Sequence, residues 1–346
     1  MLRREPISQK DAAADSRLAG LRDWISNIGP VADADFAPAS DDASFRRYFR
    51  LRKGGKSFIA MDAPPPQEDC WSFVRIAGYL EAMQLNTPRV IEADIENGFL
   101  LLADLGSEQY INTLKTDPDK ADSLYSDAMD ALLLMQCRGN VYQESLPPYD
   151  SELLRLELSL FRDWLCDTHL NLKFSDSDEK SWLACCDLLV DNALRQMQVF
   201  VHRDYHSRNL MVMRDNNPGI LDFQDAVEGP LTYDLVSLLK DCYIHWPADQ
   251  VRLWALYFYE HLDEAIRKQM DEQQFFTYFE LMGVQRHLKA AGIFCRLNHR
   301  DGKPAYLGDV LAALNYVVEI SPYYPELEFL ARLITEQIVP AWDSVE

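Results

Sequence analysis

Polar side chains in residues 202–209 have types and a spacing that suit phosphoryl transfer. The segment reads His-Arg-Asp-Tyr-His-Ser-Arg-Asn after the apolar run Val199–Val201, and Asp222 follows Asn209 by thirteen residues. Because the transferred group carries diffuse negative charge, such chemistry needs mainly positioning and charge neutralisation. Asp204 would accept the proton of the attacking hydroxyl or orient that hydroxyl. Asn209 and Asp222 would hold Mg²⁺ on the phosphates of ATP, since magnesium prefers oxygen ligands of this kind.

Each of these residues also has an ordinary structural interpretation. A single Asp in a loop is usually a turn former or a helix cap. A single His after a strand is usually a core residue. The whole order of strand, H-x-D-x₄-N loop, strand, turn, strand and Asp-Phe pair argues against coincidence.

The elements that must position this loop divide the chain into two regions. Up to Asp104 the pattern mixes helical periods with strand runs; helices are predicted at 16–28 and 68–85, and strands at 45–51, 57–61, 87–93 and 99–103. Beyond it, long helical periods are predicted at 121–138, 151–169, 178–196, 249–267, 272–295, 305–320 and 326–338. One short hairpin around 199–221 interrupts them. We therefore predict an α+β fold with a β-sheet N-lobe at 1–104 and a mainly helical C-lobe at 105–346.

The balance of charge excludes several classes of partner. The 346 residues include 34 Lys plus Arg against 55 Asp plus Glu, a formal net charge of −21. Nucleic acid and anionic membranes would repel such a chain, because both bind basic surfaces. Residues 1–17 lack the apolar run of a signal peptide, and no apolar run is long enough to span a bilayer. The seven cysteines form no C-x-x-C pair, which predicts a reduced, cytoplasmic protein, and we expect a monomer.

The catalytic-type loop and the Asp222-Phe223 pair resemble those of the aminoglycoside phosphotransferase and protein-kinase-like superfamily. Tyr205 stands where protein kinases prefer Leu, His206 stands where they carry Lys, and no Ala-Pro-Glu segment follows. These departures favour the branch that phosphorylates small molecules. The resemblance implies a bilobal protein-kinase-like fold that uses ATP and Mg²⁺.

More specific matches extend over nearly the whole chain, in segments 42–50, 60–65, 98–102, 281–289 and 299–304. They resemble the bacterial N-acetylmuramate/N-acetylglucosamine anomeric kinases of peptidoglycan recycling, which phosphorylate the C1 hydroxyl of an amino sugar. The resemblance implies that Asp204 is the catalytic residue and that Asn209 and Asp222 are metal ligands. It also implies that His202 braces the loop. We interpret Asp234 as a buried acceptor that ties a helix to this loop, and Asp225 as a turn residue.

One departure from the kinase pattern concerns the lysine of the third strand, because the aligned tetrapeptide 59–62 ends in Asp62. Residues 44–56 contain six Lys and Arg and no acid, so they offer a replacement for that lysine. We expect Ser44, Arg46 and Arg47 to bind the phosphates of ATP. Strand alternation puts Arg46 and Arg47 on opposite faces, and only one face can meet ATP. The alternative is a solvated basic edge strand.

The segment 101–106 fits a hinge between the two predicted lobes. The resemblance implies that its backbone N–H and C=O groups bind the edge of adenine, at Asp104 and Leu105. The same residues are also consistent with an ordinary buried strand that ends near Gly106, and the two interpretations do not conflict.

A second basic cluster, residues 286–303, has five Lys and Arg against one acid. Such a cluster suits an acidic sugar, because N-acetylmuramate carries a lactyl carboxylate. The predicted substrate-binding residues are Arg208, Gln285, Arg286 and Lys289. The alternative is a set of surface charges that complement the end of a helix. Four aromatic residues that could stack on a sugar ring are instead predicted to pack in the core, namely Trp182, Tyr243, Trp246 and Phe294.

Three functions remain open from the sequence. The leading one is an ATP-dependent kinase acting at C1 of N-acetylmuramate and N-acetylglucosamine. The second is a small-molecule kinase with another alcohol acceptor, such as choline, homoserine or an aminoglycoside. The third is a nucleotide-binding pseudokinase with a regulatory role, which Asp62 suggests. The joint presence of Asp204, Asn209 and Asp222 argues against the third.

Overall fold

The structure, a computed structural model, describes residues 9–40 and 45–343. The predicted phosphate ligand Ser44 lies outside the described residues. The described strands are β1 Asp35–Ser40, β2 Arg47–Lys53, β3 Lys56–Asp62, β4 Val90–Asp94, β5 Phe99–Ala103, β6 Gln198–Val201, β7 Leu210–Met211, β8 Gly219–Ile220 and β9 Val227–Pro230. The described α-helices are α1 Gln9–Ser26, α2 Cys70–Ala82, α3 Tyr110–Thr116, α4 Ala121–Gly139, α5 Ser151–Leu160, α6 Asp176–Arg195, α7 Tyr233–Leu239, α8 Ala248–His261, α9 Glu264–Arg267, α10 Glu272–Asp301, α11 Val310–Ile320, α12 Glu328–Leu333 and α13 Val339–Trp342.

Shorter helical turns extend or connect these elements. Wider π-type turns continue α5 over Phe161–His169 and α12 over Ile334–Ile338. The 3₁₀ turns are Pro118–Lys120, Gln143–Ser145, Pro304–Asp309, Ser321–Tyr323 and Pro325–Leu327. Among the described residues, no helix is long and apolar enough to cross a bilayer.

The chain divides into two compact units. The first comprises the described residues up to Ser107 together with Gly219–Gln224. The second comprises Glu108–Pro218 and the described residues from Asp225 onward. Asp222 therefore belongs to the first unit, whereas Asp204 and Asn209 belong to the second. The domain ranges expected from the sequence did not assign the segment around Asp222 to the first region.

The first unit is built on an antiparallel sheet whose five described strands run in the order β1-β2-β3-β5-β4. Alternation along the strands turns one set of apolar side chains toward α1. This face buries one cluster, made of Leu21, Ile25, Val31, Phe49, Leu51, Ala60, Phe99 and Leu101. The helical period predicted at 16–28 is present in α1, which begins earlier, at Gln9.

Helix α2 begins where Asp69 accepts a hydrogen bond from the N–H of Trp71, a typical N-cap. Its apolar residues recur at helical spacing and are buried, as the sequence predicts. One of them, Phe73, packs on Phe223 with ring centroids 4.8 Å apart. Because Phe223 follows Asp222 in the chain, this contact fixes the segment that carries the predicted metal ligand.

The second unit is mainly helical and is organised around α10, which has 30 residues. The helix begins at its N-cap Asp271, whose side chain accepts the N–H of Gln274, and ends at Gly302 in the left-handed region, with φ +66°. Its middle third is buried, including Gln285, Arg286 and His287. The prediction of 272–295 as a helix is confirmed, but α10 continues six residues further.

The short strands of the second unit differ from the sequence prediction. Strand β6 pairs antiparallel with β9, with Val201 opposite Val227. Strand β9 was not predicted from the sequence, because Gly229-Pro230 is typical of a turn.

Strand β1 and helix α3 were not predicted either. The predicted helix 249–267 is interrupted between α8 and α9, whereas 151–169 and 326–338 stay helical because π-type turns continue them. The α+β class is confirmed.

Candidate active site

The loop that carries Asp204 is held by hydrogen bonds to a buried carboxylate. Asp234, fully buried near the start of α7, accepts the backbone N–H of His202 at 2.6 Å and that of Arg203 at 2.9 Å. Burial raises the pKa of Asp234 to about 7, although both N–H bonds favour its ionised form. The interpretation of Asp234 as a buried acceptor that ties a helix to the loop is confirmed.

The same loop departs from ordinary backbone geometry just before Asp204. Arg203 has φ +77°, a left-handed conformation that costs free energy for a residue with a Cβ. Buried His202 accepts the N–H of Asp204 through its Nδ1 atom at 3.2 Å. These contacts hold the Asp204 backbone, and they confirm that His202 braces the loop.

The carboxyl of Asp204 is kept in its ionised form. Burial acts to raise its pKa, but the nearby positive charges, led by Lys289 and including Arg203, outweigh this effect, and the pKa lies below its ordinary value. An ionised carboxylate can accept a proton or a hydrogen bond, which is the chemistry predicted for this residue.

The far end of the loop is fixed by further hydrogen bonds within the second unit. The N–H and Oγ of Ser207 both donate to Asp241, at 3.1 and 2.5 Å. The Nδ2 of Asn209 donates to the Asp204 carbonyl at 3.0 Å. With its nitrogen engaged, Asn209 has its Oδ1 atom as the oxygen that can ligate a cation.

A buried ionic network links this loop to helices α5 and α10. The Glu157 carboxylate accepts hydrogen bonds from Arg203 at 2.6 Å, from Lys289 at 2.8 Å and from Gln285 at 3.1 Å. Tyr149 also donates to it, and Lys289 donates to the hydroxyl of Tyr233 at 2.8 Å. Glu157 thus holds the ammonium group of Lys289 in place. Lys289 is 12% exposed and paired with Glu157, so the surface-charge alternative does not describe it.

In the first unit, Asp222 lies in the left-handed region of backbone conformation, with φ +61°. Its Oδ1 accepts a hydrogen bond from Arg46 Nη2 at 3.1 Å and from Gln224 Nε2 at 3.0 Å. The preceding Ile220 donates its N–H to the Asn86 carbonyl at 2.7 Å. The Asp222 carboxylate therefore lies on a fixed backbone and forms an ion pair with Arg46.

The structure gives Arg47 and Asp62 a role on the α1 face of the sheet. Asp62 is fully buried opposite Arg47 in the β2–β3 register. Its two oxygens bind Arg17 of α1, at 2.5 Å, and Arg47. Arg47 therefore lies on the face that packs against α1, whereas Tyr48 and Arg50 alternate to the opposite face. Asp62 is an anchor for two arginines.

The hinge segment is held by an ion pair that the sequence analysis did not identify. Arg50 Nε donates to Asp104 Oδ2 at 2.7 Å, and Asp104 Oδ1 accepts the N–H of Gly106 at 2.9 Å. Burial acts to raise the pKa of Asp104, but the hydrogen bonds from Arg50, Ser57 and Gly106 together outweigh it and lower this pKa. The Asp104 side chain thus shapes the backbone at Leu105 and Gly106, whose φ is +89°.

Two arginines of the second unit contact the consecutive residues Cys242 and Tyr243. The guanidinium of Arg208 stacks over the ring of Tyr243 at 3.6 Å. Arg286 is 7% exposed and donates to the sulfur of Cys242 at 3.7 Å. Trp182 and Phe294 are buried as predicted. Tyr243 is only half-buried, so assigning it wholly to the core was wrong, because its ring is the platform for Arg208.

Sequence comparison places these features in a known family. The model of the phosphotransferase enzyme family matches residues 35–272. An N-acetylmuramate/N-acetylglucosamine kinase of Pseudomonas aeruginosa is 45% identical over 331 residues, 92% of this chain and 96% of that protein. The chain belongs to the phosphotransferase enzyme family. A kinase of the same name from Neisseria meningitidis is 37% identical to this phosphotransferase, over 92% of this chain and 95% of that protein.

Solved structures agree on the fold of this phosphotransferase. An ethanolamine kinase of Plasmodium vivax has a TM-score of 0.61 at 12% identity, over 92% of this chain and 91% of that chain. An aminoglycoside phosphotransferase solved with ADP has a TM-score of 0.56 at 15% identity, over 91% and 98%. The protein-kinase-like fold is confirmed, and at such identities the likeness concerns the fold alone.

The donor set of this phosphotransferase fits magnesium. The described residues contain no group of three or more His, Cys, Asp and Glu side chains placed to hold a metal ion. The predicted ligands are one amide oxygen, on Asn209, and one carboxylate, on Asp222. Magnesium is often held by one or two such protein groups, with phosphate and water completing its shell.

Several residues that shape this site were not predicted, namely Arg17, Arg50, Glu157 and Asp241. Each acts through a partner that is distant in the chain, as in the pair of Glu157 with Lys289. An acidic residue among apolar neighbours is the one sequence signal for such a buried partnership. Glu157 shows it, because it lies between Leu154 and Leu158.

Proposed function

We propose that this phosphotransferase uses ATP and Mg²⁺ to phosphorylate the C1 hydroxyl of N-acetylmuramate and N-acetylglucosamine in cell-wall recycling. The observation that carries the proposal is the ionised Asp204 in a loop held by Asp234 and His202. The names of the relatives, at up to 46% identity over 93% of this chain, support the choice of acceptor. We expect the enzyme to work in the cytoplasm, where its free thiols would stay reduced, and we expect it to be a monomer.

In this mechanism Asp204 accepts the proton of the acceptor hydroxyl as that oxygen attacks the terminal phosphoryl group. An anomeric hydroxyl is more acidic than an ordinary alcohol, so a carboxylate is a sufficient base. Lys289, held by Glu157, keeps Asp204 ionised before the reaction. No covalent phospho-enzyme is required, and no histidine has to act as a nucleophile.

Asn209 and Asp222 are the proposed metal ligands. When bound, Mg²⁺ would neutralise charge on the phosphates as the reaction proceeds. Asn209 presents its Oδ1 because its Nδ2 is engaged with the Asp204 carbonyl. Asp222 presents its carboxylate on a backbone that Phe73 and Asn86 hold in place.

The proposed contacts of ATP belong to the first unit. We propose that Arg46 binds phosphate oxygens, and that the backbone at Asp104 and Leu105 binds adenine. Arg47, which contacts Asp62 and lies over the ring of Phe49 at 5.9 Å, is the weaker phosphate ligand. Ser44 stays a prediction from the sequence.

The acceptor end rests on the second unit. Arg208 and Arg286 are the proposed contacts of the sugar. Gln285 and Lys289 were also predicted to contact it, and that remains a prediction. Both donate to Glu157, so we propose that they also position the acceptor side through this network.

Product identification tests the function. The protein is incubated with ATP, Mg²⁺ and a panel of N-acetylmuramate, N-acetylglucosamine, choline, homoserine and an aminoglycoside, and the products are identified by NMR. A sugar 1-phosphate is expected. Phosphorylation of choline or an aminoglycoside, with no reaction of either sugar, would contradict the proposal.

The pseudokinase alternative loses the observation that suggested it. Asp62 is buried on the α1 face, where it binds Arg17 and Arg47. Its carboxylate therefore has a structural explanation, and it gives no reason to expect a defective nucleotide site.

A further inference from the structure

We propose that Arg208 and Arg286 form a carboxylate-binding subsite beside Asp204, which makes the enzyme discriminate between an acceptor that carries an acid and one that does not. The inference rests on the proposed function, because it names how the acceptor of that same site is recognised. The carboxylate in question is the lactyl group of N-acetylmuramate, which N-acetylglucosamine lacks.

The first observation is a buried cation without an acidic partner. Arg286 lies in the middle of α10 and is 7% exposed. Within the described residues it forms no ion pair, and its one hydrogen bond goes to the thiol of Cys242 at 3.7 Å. A thiol is a weak acceptor, and a buried charge is costly unless it is paired. The charges of Asp241 and Asp204 help to raise the pKa of Arg286 despite its burial, but neither carboxylate lies within ion-pair distance of it. The expected complement of Arg286 is an anion from outside the chain.

The second observation concerns Arg208, in the loop between Asp204 and Asn209. Its guanidinium stacks over Tyr243 at 3.6 Å and lies 5.9 Å from the centre of the Tyr306 ring. The described residues offer its N–H groups no carboxylate within ion-pair distance and no hydrogen bond. Stacking fixes the plane of a guanidinium while its edge stays open to a planar, two-oxygen ligand.

A third group in this cluster also lacks a partner. His206 packs edge-on against Tyr243, with ring centroids 5.5 Å apart. Its buried Nδ1 atom has no hydrogen-bond partner among the described residues. Such orphaned polar atoms are uncommon in folded proteins. Burial lowers the pKa of His206, which favours the neutral ring.

These side chains cluster around the turn that contains Cys242 and Tyr243. Tyr243 carries Arg208 on its face and His206 at its edge, and Cys242, the residue before it, contacts Arg286. Asp241 fixes this turn by accepting the N–H of Tyr243 at 3.1 Å and that of Ser207. Two cations and an unsatisfied imidazole nitrogen therefore converge next to the loop that carries Asp204.

A carboxylate near the reacting hydroxyl satisfies these groups. In N-acetylmuramate the lactyl group is on C3, two carbons along the ring from the C1 hydroxyl. Two arginines can each bind a carboxylate through paired N–H groups. A neutral sugar leaves Arg286 buried and unpaired in the complex, so it gains no such stabilisation.

The test compares matched acceptors on single variants. The expected loss of kcat/KM for N-acetylmuramate in Arg208→Gln is about 10- to 100-fold, the range of a hydrogen bond to a charged group. The loss for N-acetylglucosamine should be several-fold smaller than the loss for N-acetylmuramate, and KM for ATP should not change. Arg286→Lys, which keeps the buried charge, should show the same selective loss. Arg195→Gln, an exposed arginine paired with Asp191, is the control.

Binding without ATP separates this inference from the proposed function. Calorimetry on the wild-type protein should show tighter binding of N-acetylmuramate than of its methyl ester or of N-acetylglucosamine. Arg208→Gln should remove that difference. Equal binding of the acid and the ester by wild type would overturn the inference, whether or not any sugar is phosphorylated. A rise of KM for ATP in the arginine variants, with both sugars affected alike, would overturn it too. If the acid is bound selectively but never phosphorylated, the inference stands and the proposed function fails.

Discussion

At the scale of single residues, the site is a set of ionised groups whose charges are fixed by their neighbours. Asp204 is ionised because nearby positive charges, led by Lys289, outweigh the effect of burial. The carboxylate of Asp222 forms an ion pair with Arg46. Each charge in the proposed mechanism can therefore be changed through a partner, without touching the reacting residue itself.

Lys289→Met should raise the pKa of Asp204, because the largest positive charge acting on that carboxyl is removed. In wild type this pKa lies below its ordinary value, so the acid remains ionised as the pH falls to mildly acidic values. The acidic limb of the profile of kcat/KM against pH should move to higher pH in the variant. Lys289→Arg keeps the charge and should leave the limb in place. An unmoved limb in Lys289→Met would contradict the electrostatic role.

Arg46→Ala should raise the KM for ATP by about tenfold or more, the scale of one hydrogen bond to a charged group. The acceptor KM should stay within about twofold, since Arg46 lies in the first unit near Asp222. Initial rates at varied ATP measure the effect, with Arg195→Gln as the control. An unchanged KM for ATP would show that Arg46 serves Asp222 alone.

At the scale of elements, Glu157 on α5 connects three parts of the second unit. It binds Arg203 of the catalytic loop, and it binds Gln285 and Lys289 of α10. Its side chain is 5% exposed, so its charge and those of its partners depend on one another. Opposite charges compensate for the cost of burying each one.

Glu157→Gln should lower the free energy of unfolding by about 3–5 kcal/mol, because two cations lose their buried partner. The amide keeps the shape of the side chain, so the loss reports charge. Glu264→Gln, which breaks the exposed pair of Glu264 with Lys268, should cost less than about 1 kcal/mol. Urea denaturation of the three proteins measures the difference. Equal small losses in both variants would contradict a buried ionic network.

Sequence patterns predicted the parts of this site that are local in the chain. The loop 202–209 and the pair Asp222-Phe223 are contiguous motifs, and α2 and α10 follow apolar periods over many residues. The partnerships of Glu157 and of Asp62 were not predictable in this way. Glu157 pairs with cations 46 and 132 residues away in the chain, and Asp62 pairs with cations 15 and 45 residues away. No periodicity in the sequence encodes which charges meet. The strand β9 was missed because its residues have turn propensity and its pairing with β6 is non-local.

At the scale of the whole molecule, the net charge of −21 conceals a specific placement of positive charge. Arg47 and Arg50 are each held by a buried acid, and so is Lys289. Arg286 and Arg208 are not, and they lie beside the loop that carries Asp204. An acidic chain can therefore bind anionic substrates where its own acids leave cations unpaired.

The most direct test of the account is the rate of sugar 1-phosphate formation by wild type and by Asp204→Asn, under saturating ATP, Mg²⁺ and N-acetylmuramate. The amide fits the same space but cannot accept the proton, so kcat should fall about 10²- to 10⁴-fold. Binding of the sugar in calorimetry should persist in the variant. A variant that keeps more than about a tenth of the wild-type kcat would contradict the central claim that Asp204 takes the proton of the acceptor.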